Sequence, residues 1–590
     1  MSIIDWAIVF AFLVFLVCMG AVLARRASGS MSDFFVSGRS LPWYLAGTSI
    51  MATSFSCDTP LHVTKVIREQ GLSGAWFYWT ALLFAPMIPF LFSRLWRRAL
   101  VITDCEFVEL RYSGRSAALQ RFLMALFRLF CIEAITLGWV ILGMSKIAHV
   151  MLGISPELSI GGVLVSSDVV IVVTLVTTAV IYTALAGLWG VVTNDFIQFI
   201  VALFGSILLA IIAVDKVGGI EALKDALSDT GIIGGNALSF LPPTERKGGL
   251  SFGAFLVYLF ILGWSHAEAD GGGNKAQRFL ACKSEGHALA SSVWDVTIQN
   301  IVRNWPWYIT ALASLVLYRE VLDHEMVYPR MIIDLMPAGL RGLMVASLFA
   351  AFLSTIDSHL NLSASYFTND IYKRFLCKGK SESHYVMVSR LAIISMAAIV
   401  TFVALNLESV LEALKLKGEL MAGLGPVLIL RWFWPRITPW SEIASMATSV
   451  LTAILLRTTG VGVIEVGNLL GIEPSGDLFP ARLLIIVAVS TIVMVIVTFI
   501  SPPSNPVTIK RFFDRVRPPT WKTKESASLP RESLRAQIAN WLLAAMFISS
   551  STFFVGKAIL GAKTHALVLF LVALVSGIAL FKRIKPLVSS

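Results

Sequence analysis

Leu45-Ala-Gly-Thr-Ser-Ile-Met-Ala-Thr-Ser-Phe-Ser-Cys-Asp-Thr-Pro60 begins as an apolar helix and ends as something else. An uninterrupted helix does not gather Ser54, Ser56, Asp58, Thr59 and Pro60 so closely, because proline removes a backbone donor and short hydroxyl side chains compete for backbone bonds. The surrounding apolar segment, about 42 to 66, has the length of a membrane span, so the break falls in mid-bilayer, around Ala52 to Pro60. Unwound backbone at that depth is tolerated only where it lines a cavity or binds something, and its freed carbonyls suit a hard cation. The plainer alternative is a proline kink whose hydroxyls bond back to the helix.

The composition places this stretch in lipid. Of 590 residues, 56% are hydrophobic and 14% charged, with a mean hydropathy of +0.77. Soluble domains average about 25% charged residues, which excludes a soluble enzyme or a disordered chain. The 48 basic and 37 acidic residues leave +11, an excess that in a membrane chain reports cytoplasmic loops rather than nucleic acid. Six cysteines without a CxxC pair give neither a disulfide framework nor a zinc site, and the chain contains no HExxH.

A span needs roughly 20 apolar residues. By that measure about fifteen segments qualify: 1–24, 42–66, 74–97, 119–150, 168–187, 189–213, 252–270, 288–318, 339–372, 386–406, 408–432, 440–458, 480–501, 535–556 and 564–582. Arg25-Arg26 follow the first segment instead of preceding it, so it reads as a retained helix with its N-terminus outside. Threading the rest alternately puts Arg94 to Arg98, Lys275 to Lys283, Tyr372 to Lys378, Arg431 to Arg436, Lys510 to Arg535 and Phe581 to Lys585 on one side, as the positive-inside rule requires. The C-terminus is then cytoplasmic, in a multi-pass protein of the cell (plasma or inner) membrane. The expected organisation is an extra helix and loop over 1–40, a transport core over 41–435, further helices over 436–501, a polar cytoplasmic linker over 502–534, and a helix pair with a short tail over 535–590.

Two more polar clusters interrupt apolar segments, where polar groups are costly and mark function. Ser354, Ser358, Asn361 and Ser365 share one helical face, flanked by Thr355 and Asp357. A surface for close helix packing explains the small residues but does not require the carboxylate. Gly263-Trp-Ser-His-Ala-Glu-Ala-Asp-Gly-Gly-Gly-Asn274 brings His266, Glu268 and Asp270 to three glycines, each weakening a helix by about 1 kcal/mol relative to alanine, so a second break is expected there. The alternative is a loop at the cytoplasmic end. Two broken helices well separated in a large bundle form the pattern of secondary transporters built from inverted repeats.

Several motifs carry a resemblance: Ser40-Leu-Pro-Trp-Tyr44, Tyr182-Thr-Ala-Leu-Ala-Gly-Leu188, Thr193-Asn-Asp-Phe-Ile-Gln198, Gln277-Arg-Phe-Leu-Ala-Cys-Lys283, Leu353-Ser-Thr355 and Asn369-Asp-Ile-Tyr-Lys373. Over about residues 1 to 460 the chain resembles the sodium/solute symporter family. The resemblance implies an all-α membrane protein with a LeuT-type core of five plus five inverted-repeat helices, one extra helix before it and about four after. It implies a main sodium site from the carbonyls of Ala52, Phe55 and Ala351 and the hydroxyls of Ser354 and Thr355. It implies a second sodium site at Asp195, Asp357 and Ser358, where Asp357 departs from the usual hydroxyl and can alternatively carry a proton. Asp58 falls where sodium/proline members also have an Asp, and either serves an ion or an amine-bearing solute, or caps the half-helix after it. Gly272-Gly273 stand where sugar-transporting members have Asn-Gln, so sugar specificity does not carry over.

The expected solute contacts are Ser54, Asp58, Thr59, His266, Glu268, Asp270 and Asn361, with aromatic walls from Trp76, Tyr78 and Trp79. Lys415 and Lys417 either meet an anionic solute or, more simply, snorkel to water. The functional expectation is sodium-coupled symport of a small polar organic solute, with sodium the one ion required, a lipid bilayer as surroundings, and no nucleic-acid or protein partner. A proton-coupled carrier on the same scaffold is the first alternative. A non-transporting membrane sensor is the second, disfavoured by a tail of only Phe581 to Ser590. An enzyme is the least expected, because no motif pairs a nucleophile with a base.

Overall fold

The computed structural model describes residues 1–24, 31–153, 157–160, 163–228, 237–242, 250–520 and 533–588. These residues are almost entirely helical, with one antiparallel hairpin, Glu157–Ile160 against Val163–Ser166. Helices satisfy their backbone internally, which is what hydrocarbon demands of a spanning segment.

Both expected breaks are present. Helix Trp43–Ser54 stops where Phe55 leaves helical space (φ -95°, ψ 74°), and helix Thr59–Gln70 starts after Asp58 with Pro60 in its first turn. The second runs from Phe252 to Ser265, turns extended at His266 (φ -86°, ψ 164°) and resumes at Asn274–Ala281. Gly271 and Gly273 take positive φ (76° and 62°) inside that break, a conformation glycine adopts without a Cβ penalty.

Each of the fifteen expected segments is helical at least in part. Among the described residues only eight helices are continuous and apolar enough to cross a membrane, or nine if Leu72–Phe84 and Pro89–Ala99, bent by 41°, count as one. The difference arises where spans are interrupted, at the two breaks and at places such as Val410–Met421 and Gly425–Phe433. One expectation is corrected: 168–187 and 189–213 are not separated by a turn but belong to a single helical element of 51 residues, Ser167–Val217. The motif Tyr182 to Leu188 lies there, and apart from Thr183 its side chains fall outside the described residues. The linker over 502–534 is described only to Thr520 and from Ser533.

Helix Leu340–Ser365 forms the centre. It packs against Ser167–Val217 and Ile3–Ala24, and its polar stripe is buried along its whole length. A π-helical turn at Arg128–Glu133 interrupts the helix that faces it. That turn places Glu133 Oε2 2.6 Å from His359 Nδ1.

The last two helices, Leu534–Ile559 and Lys563–Val588, pack on each other and dock on the core through backbone carbonyls. Trp305 Nε1 donates to Thr552 O (2.9 Å), Thr552 Oγ1 to Asn300 O (3.1 Å) and Trp541 Nε1 to Leu83 O (2.7 Å). Gly556 admits the Trp305 ring, because a Cβ there would lie 1.9 Å from it. Overpacking of this kind costs about 1–3 kcal/mol. Gly556→Val is therefore expected to lower the melting temperature and to expose Trp305 to quenching, whereas an unchanged melt with unchanged Trp fluorescence would show that the pair does not dock this way.

Candidate ion and solute site

The unwound end of the first broken helix lies against the Leu340–Ser365 helix. Thr355 Oγ1 is 3.4 Å from Thr53 O and donates to Ala351 O at 3.0 Å. Ala52 O accepts from Phe55 N at 2.9 Å, and the Phe55 ring packs on Phe199 and Trp307. Ser354 donates to the Asp195 carboxylate, which also takes the Ser49 hydroxyl at 2.5 Å. The expected donor set thus sits on two facing elements, with one hydroxyl already bonded to Asp195.

Arg278 ties the expected second site together. Its guanidinium donates to Ser358 Oγ (2.7 Å) and Ser49 Oγ (3.2 Å), reaches Thr53 Oγ1 at 3.5 Å, and also donates to Gln277 Oε1 (2.6 Å). Gln277 in turn donates to Asn361 Oδ1 at 3.1 Å and Phe35 O at 3.0 Å. Asp357 is fully buried and faces Asp195 and Arg278, and among the described residues the Thr183 hydroxyl is the one side-chain hydrogen-bonding group beside it. A buried carboxylate with free lone pairs is costly unless a cation or proton joins it.

Between the two breaks lies a second polar group. Asp58 stands at the start of its half-helix, yet its side chain makes no cap, which corrects the capping alternative, and its Oδ1 is unpartnered. The close approach of Asp58 depends on Gly143, where a Cβ would meet the Asp58 Cβ at 2.7 Å. His62, one turn on, holds Tyr78 Oη at 2.6 Å. Trp139 reaches Asp58, and Lys417 Nζ lies 5.1 Å from the Trp139 ring. Glu268 keeps a quarter of its side chain exposed within the bundle, 3.8 Å from Arg128, and Lys417, His266 and His359 are the other charges that act on it. Ser54 is half-buried and bonds back to Ile50 O (3.2 Å), and Thr59 approaches Ser54 O (3.4 Å).

Two expected solute contacts are corrected. Asp270 is sealed away from any solute: Arg431 Nη2 (2.9 Å), Trp432 Nε1 (2.8 Å) and Gly272 N (3.0 Å) occupy its oxygens. Trp79 points into an aromatic cluster of Trp76, Phe240, Trp305, Tyr308 and Phe553 and not toward Asp58, so Tyr78 is the aromatic residue that meets the site. Asn361 accepts from Gln277 through Oδ1, and its buried Nδ2 has no hydrogen-bond partner among the described residues. Gly272 and Gly273 replace amide side chains with backbone: Gly273 N donates to Asp104 Oδ2 at 3.0 Å, and a Cβ on Gly272 would crowd Arg128 at 3.0 Å. Neither lysine snorkels to open water, since Lys415 is paired with Glu412 (2.8 Å) and Asp477 (3.1 Å), and Lys417 lies over Trp139.

The profile of the sodium:solute symporter family matches residues 34–448. The chain belongs to this family. It is 23% identical over 436 residues to sodium/glucose cotransporter 4 of Danio rerio, covering 67% of this chain and 62% of that protein. It is 25% identical over 418 residues to sodium/glucose cotransporter 2 of Rattus norvegicus, covering 64% and 58%. The chain spans about three fifths of the length of these curated relatives. A solved substrate-bound outward-open state of a Na+-coupled sialic acid symporter superposes with a TM-score of 0.67 at 20% identity, covering 85% of this chain and 99% of that one. The symporter fold, a LeuT-type all-α bundle, is thereby established.

The helix that carries Lys417 is pinned at its other end by Glu325, a fully buried carboxylate between helices. Glu325 takes Lys146 Nζ (2.6 Å), Ser409 Oγ (2.7 Å) and the Val410 and Leu411 N–H groups (3.2 and 3.1 Å). Burial alone lifts this carboxyl, but Lys146, the Ser409 hydroxyl and Leu411 N–H outweigh it and bring it from 4.5 to about 2. A depressed folded pKa stabilises above the unfolded value, and that contribution is lost as pH falls from about 4.5 toward 2. Glu325→Gln is expected to lower stability at pH 7 and to flatten the acid limb of the melting profile in that window. An acid limb identical to wild type would remove Glu325 from this role.

Proposed function

We propose that this symporter moves a small polar organic solute together with sodium by alternating access. The observation that carries this reading is the last turn of helix Trp43–Ser54, where the chain breaks, facing the Leu340–Ser365 helix, with Thr53 O 3.4 Å from Thr355 Oγ1. Five oxygens without an added charge, from Ala52, Phe55, Ala351, Ser354 and Thr355, suit a monovalent ion that must also leave. Asp195, Asp357 and Ser358 form a second cation site when Arg278 releases Ser358. The family membership and the sodium coupling named for its relatives support the same ion.

The solute sits between the breaks, against Asp58, Thr59, Tyr78, Trp139, Glu268, His266 and Lys417. Lys417 supplies the group that meets its anionic or acceptor end. The core over 41–435 does the transport, the N-terminus lies outside and the C-terminus in the cytoplasm of a cell membrane. Each sodium moved inward across 100 mV contributes roughly 2.3 kcal/mol, and linkage requires sodium and solute to raise each other's affinity. Asp357, buried with only the Thr183 hydroxyl beside it among the described residues, favours proton coupling as the second reading.

The test is thermal stability in sodium against choline at fixed pH, with pooled sugars, amino acids, carboxylates and nucleosides. Ligand at 100 times its Kd stabilises by about 2.7 kcal/mol. A shift that needs both sodium and one pool is expected, with the sodium part lost in Ser354→Ala/Thr355→Ala. A solute shift indifferent to sodium but dependent on pH would instead select the proton reading, and Asp357→Asn would abolish it.

A further inference from the structure

Away from the solute site, one cavity of about 700 Å³ is walled by Arg115, Arg374, Arg511 and Arg515, with Glu109 as its single carboxylate. It opens at the end of the bundle that carries Arg94 to Arg98 and Arg431 to Arg436, the face the charge pattern assigns to the cytoplasm. Its outer wall is helix Pro506–Val516, which starts a few residues after the span Phe479–Ile500 ends, at headgroup level.

That helix cannot turn its arginines elsewhere. Phe512, Phe513 and Val516 are fully buried, with Phe512 against Phe107 (5.5 Å between centroids) and under the Arg111 guanidinium (5.3 Å). Thr508, Arg511 and Arg515 then share the adjoining face and line the cavity. Arg115 enters from the first turn of helix Gly114–Phe127, whose Ser113 provides no side-chain cap.

The charges do not cancel. Glu109 is held by Arg374 (2.7 Å at its closest) and by Arg121 (2.8 Å), so its charge is spent. Arg115, Arg511 and Arg515 have neither an ion pair nor a hydrogen bond among the described residues. Three unpaired guanidinium groups around one cavity repel one another until an anion enters, and arginine forks match phosphate oxygens. The segments that line the cavity also carry exposed apolar side chains: Leu376, two residues after Arg374, is 69% exposed, Val507, next to Thr508, 58%, and Ile500, which ends the preceding span, 76%. A free phosphate has no use for these side chains, whereas an acyl chain lies along them.

We propose that this cavity binds the phosphate headgroup of an acidic phospholipid, which clamps helix Pro506–Val516 to the ends of the helices that carry Arg115 and Arg374. Basic pockets of this kind on the cytoplasmic face are lipid-headgroup sites on physical grounds. The site is independent of the solute and ion.

The experiment melts the purified full chain in mixed micelles while phosphatidylglycerol, phosphatidylcholine or inorganic phosphate is titrated. Phosphatidylglycerol is expected to raise the melting temperature saturably, and Arg511→Gln/Arg515→Gln, both on the exposed face, to weaken its apparent affinity at least tenfold while melting like wild type in phosphatidylcholine. Adding Arg115→Gln is expected to abolish the response. Equal shifts from both lipids, or a full phosphatidylglycerol response in the triple variant, would overturn the proposal. A matching shift from inorganic phosphate would overturn the lipid assignment and leave a free-phosphate site.

Discussion

A backbone group left unpaired in hydrocarbon costs several kcal/mol, and this constraint organises the protein. Two helices break where the chain has the least local means to repair itself, at Phe55–Asp58 and at His266–Gly273. The breaks survive because neighbouring elements meet the freed groups. Thr355 approaches Thr53 O, Asp104 accepts Gly273 N–H, and Asp270 turns its own carboxylate onto Gly272 N–H. The fold therefore assembles its polar centre as a condition of burying the broken helices.

Arg278 links that centre across three elements, through Ser49 and Thr53 on the first half-helix and Ser358 on the Leu340–Ser365 helix, with Asp195 one hydroxyl away. A guanidinium in this position has two consequences. It offsets part of the charge of Asp195 and Asp357, and it holds the Ser358 hydroxyl. In the proposed second site, a cation that recruits Asp195 or Ser358 would loosen the contacts that hold the first broken helix to its neighbours, which gives the proposed coupling a physical carrier.

The breaks and the polar stripe were legible in the sequence because proline, serial glycines and short hydroxyls have local consequences that tertiary packing does not reverse. That the first broken helix lies against the helix of Ser354 and Thr355 was reachable only through the family resemblance, and Thr53 as the residue that meets Thr355 was not named by it. Partner choice was not legible. Asp270 and Glu268 are two residues apart with similar surroundings, yet one is locked by Arg431 and Trp432 while the other stays open within the bundle. Trp79 and Tyr78 differ by one position on a short helical turn and face opposite ways. Arg278 stood in a motif without a role, and Glu133 and His359 gave no signal, since they lie 226 residues apart and their pairing depends on the π-turn that contains Glu133.

The central claim is that the first break and the Leu340–Ser365 helix together hold a sodium ion. Equilibrium binding of radioactive sodium to the purified protein tests it most directly. Saturable binding that disappears in Ser354→Ala/Thr355→Ala, with the variant still folded, is the expected result. Saturable binding unaffected by that double substitution, or none in wild type at any sodium concentration, would contradict the account.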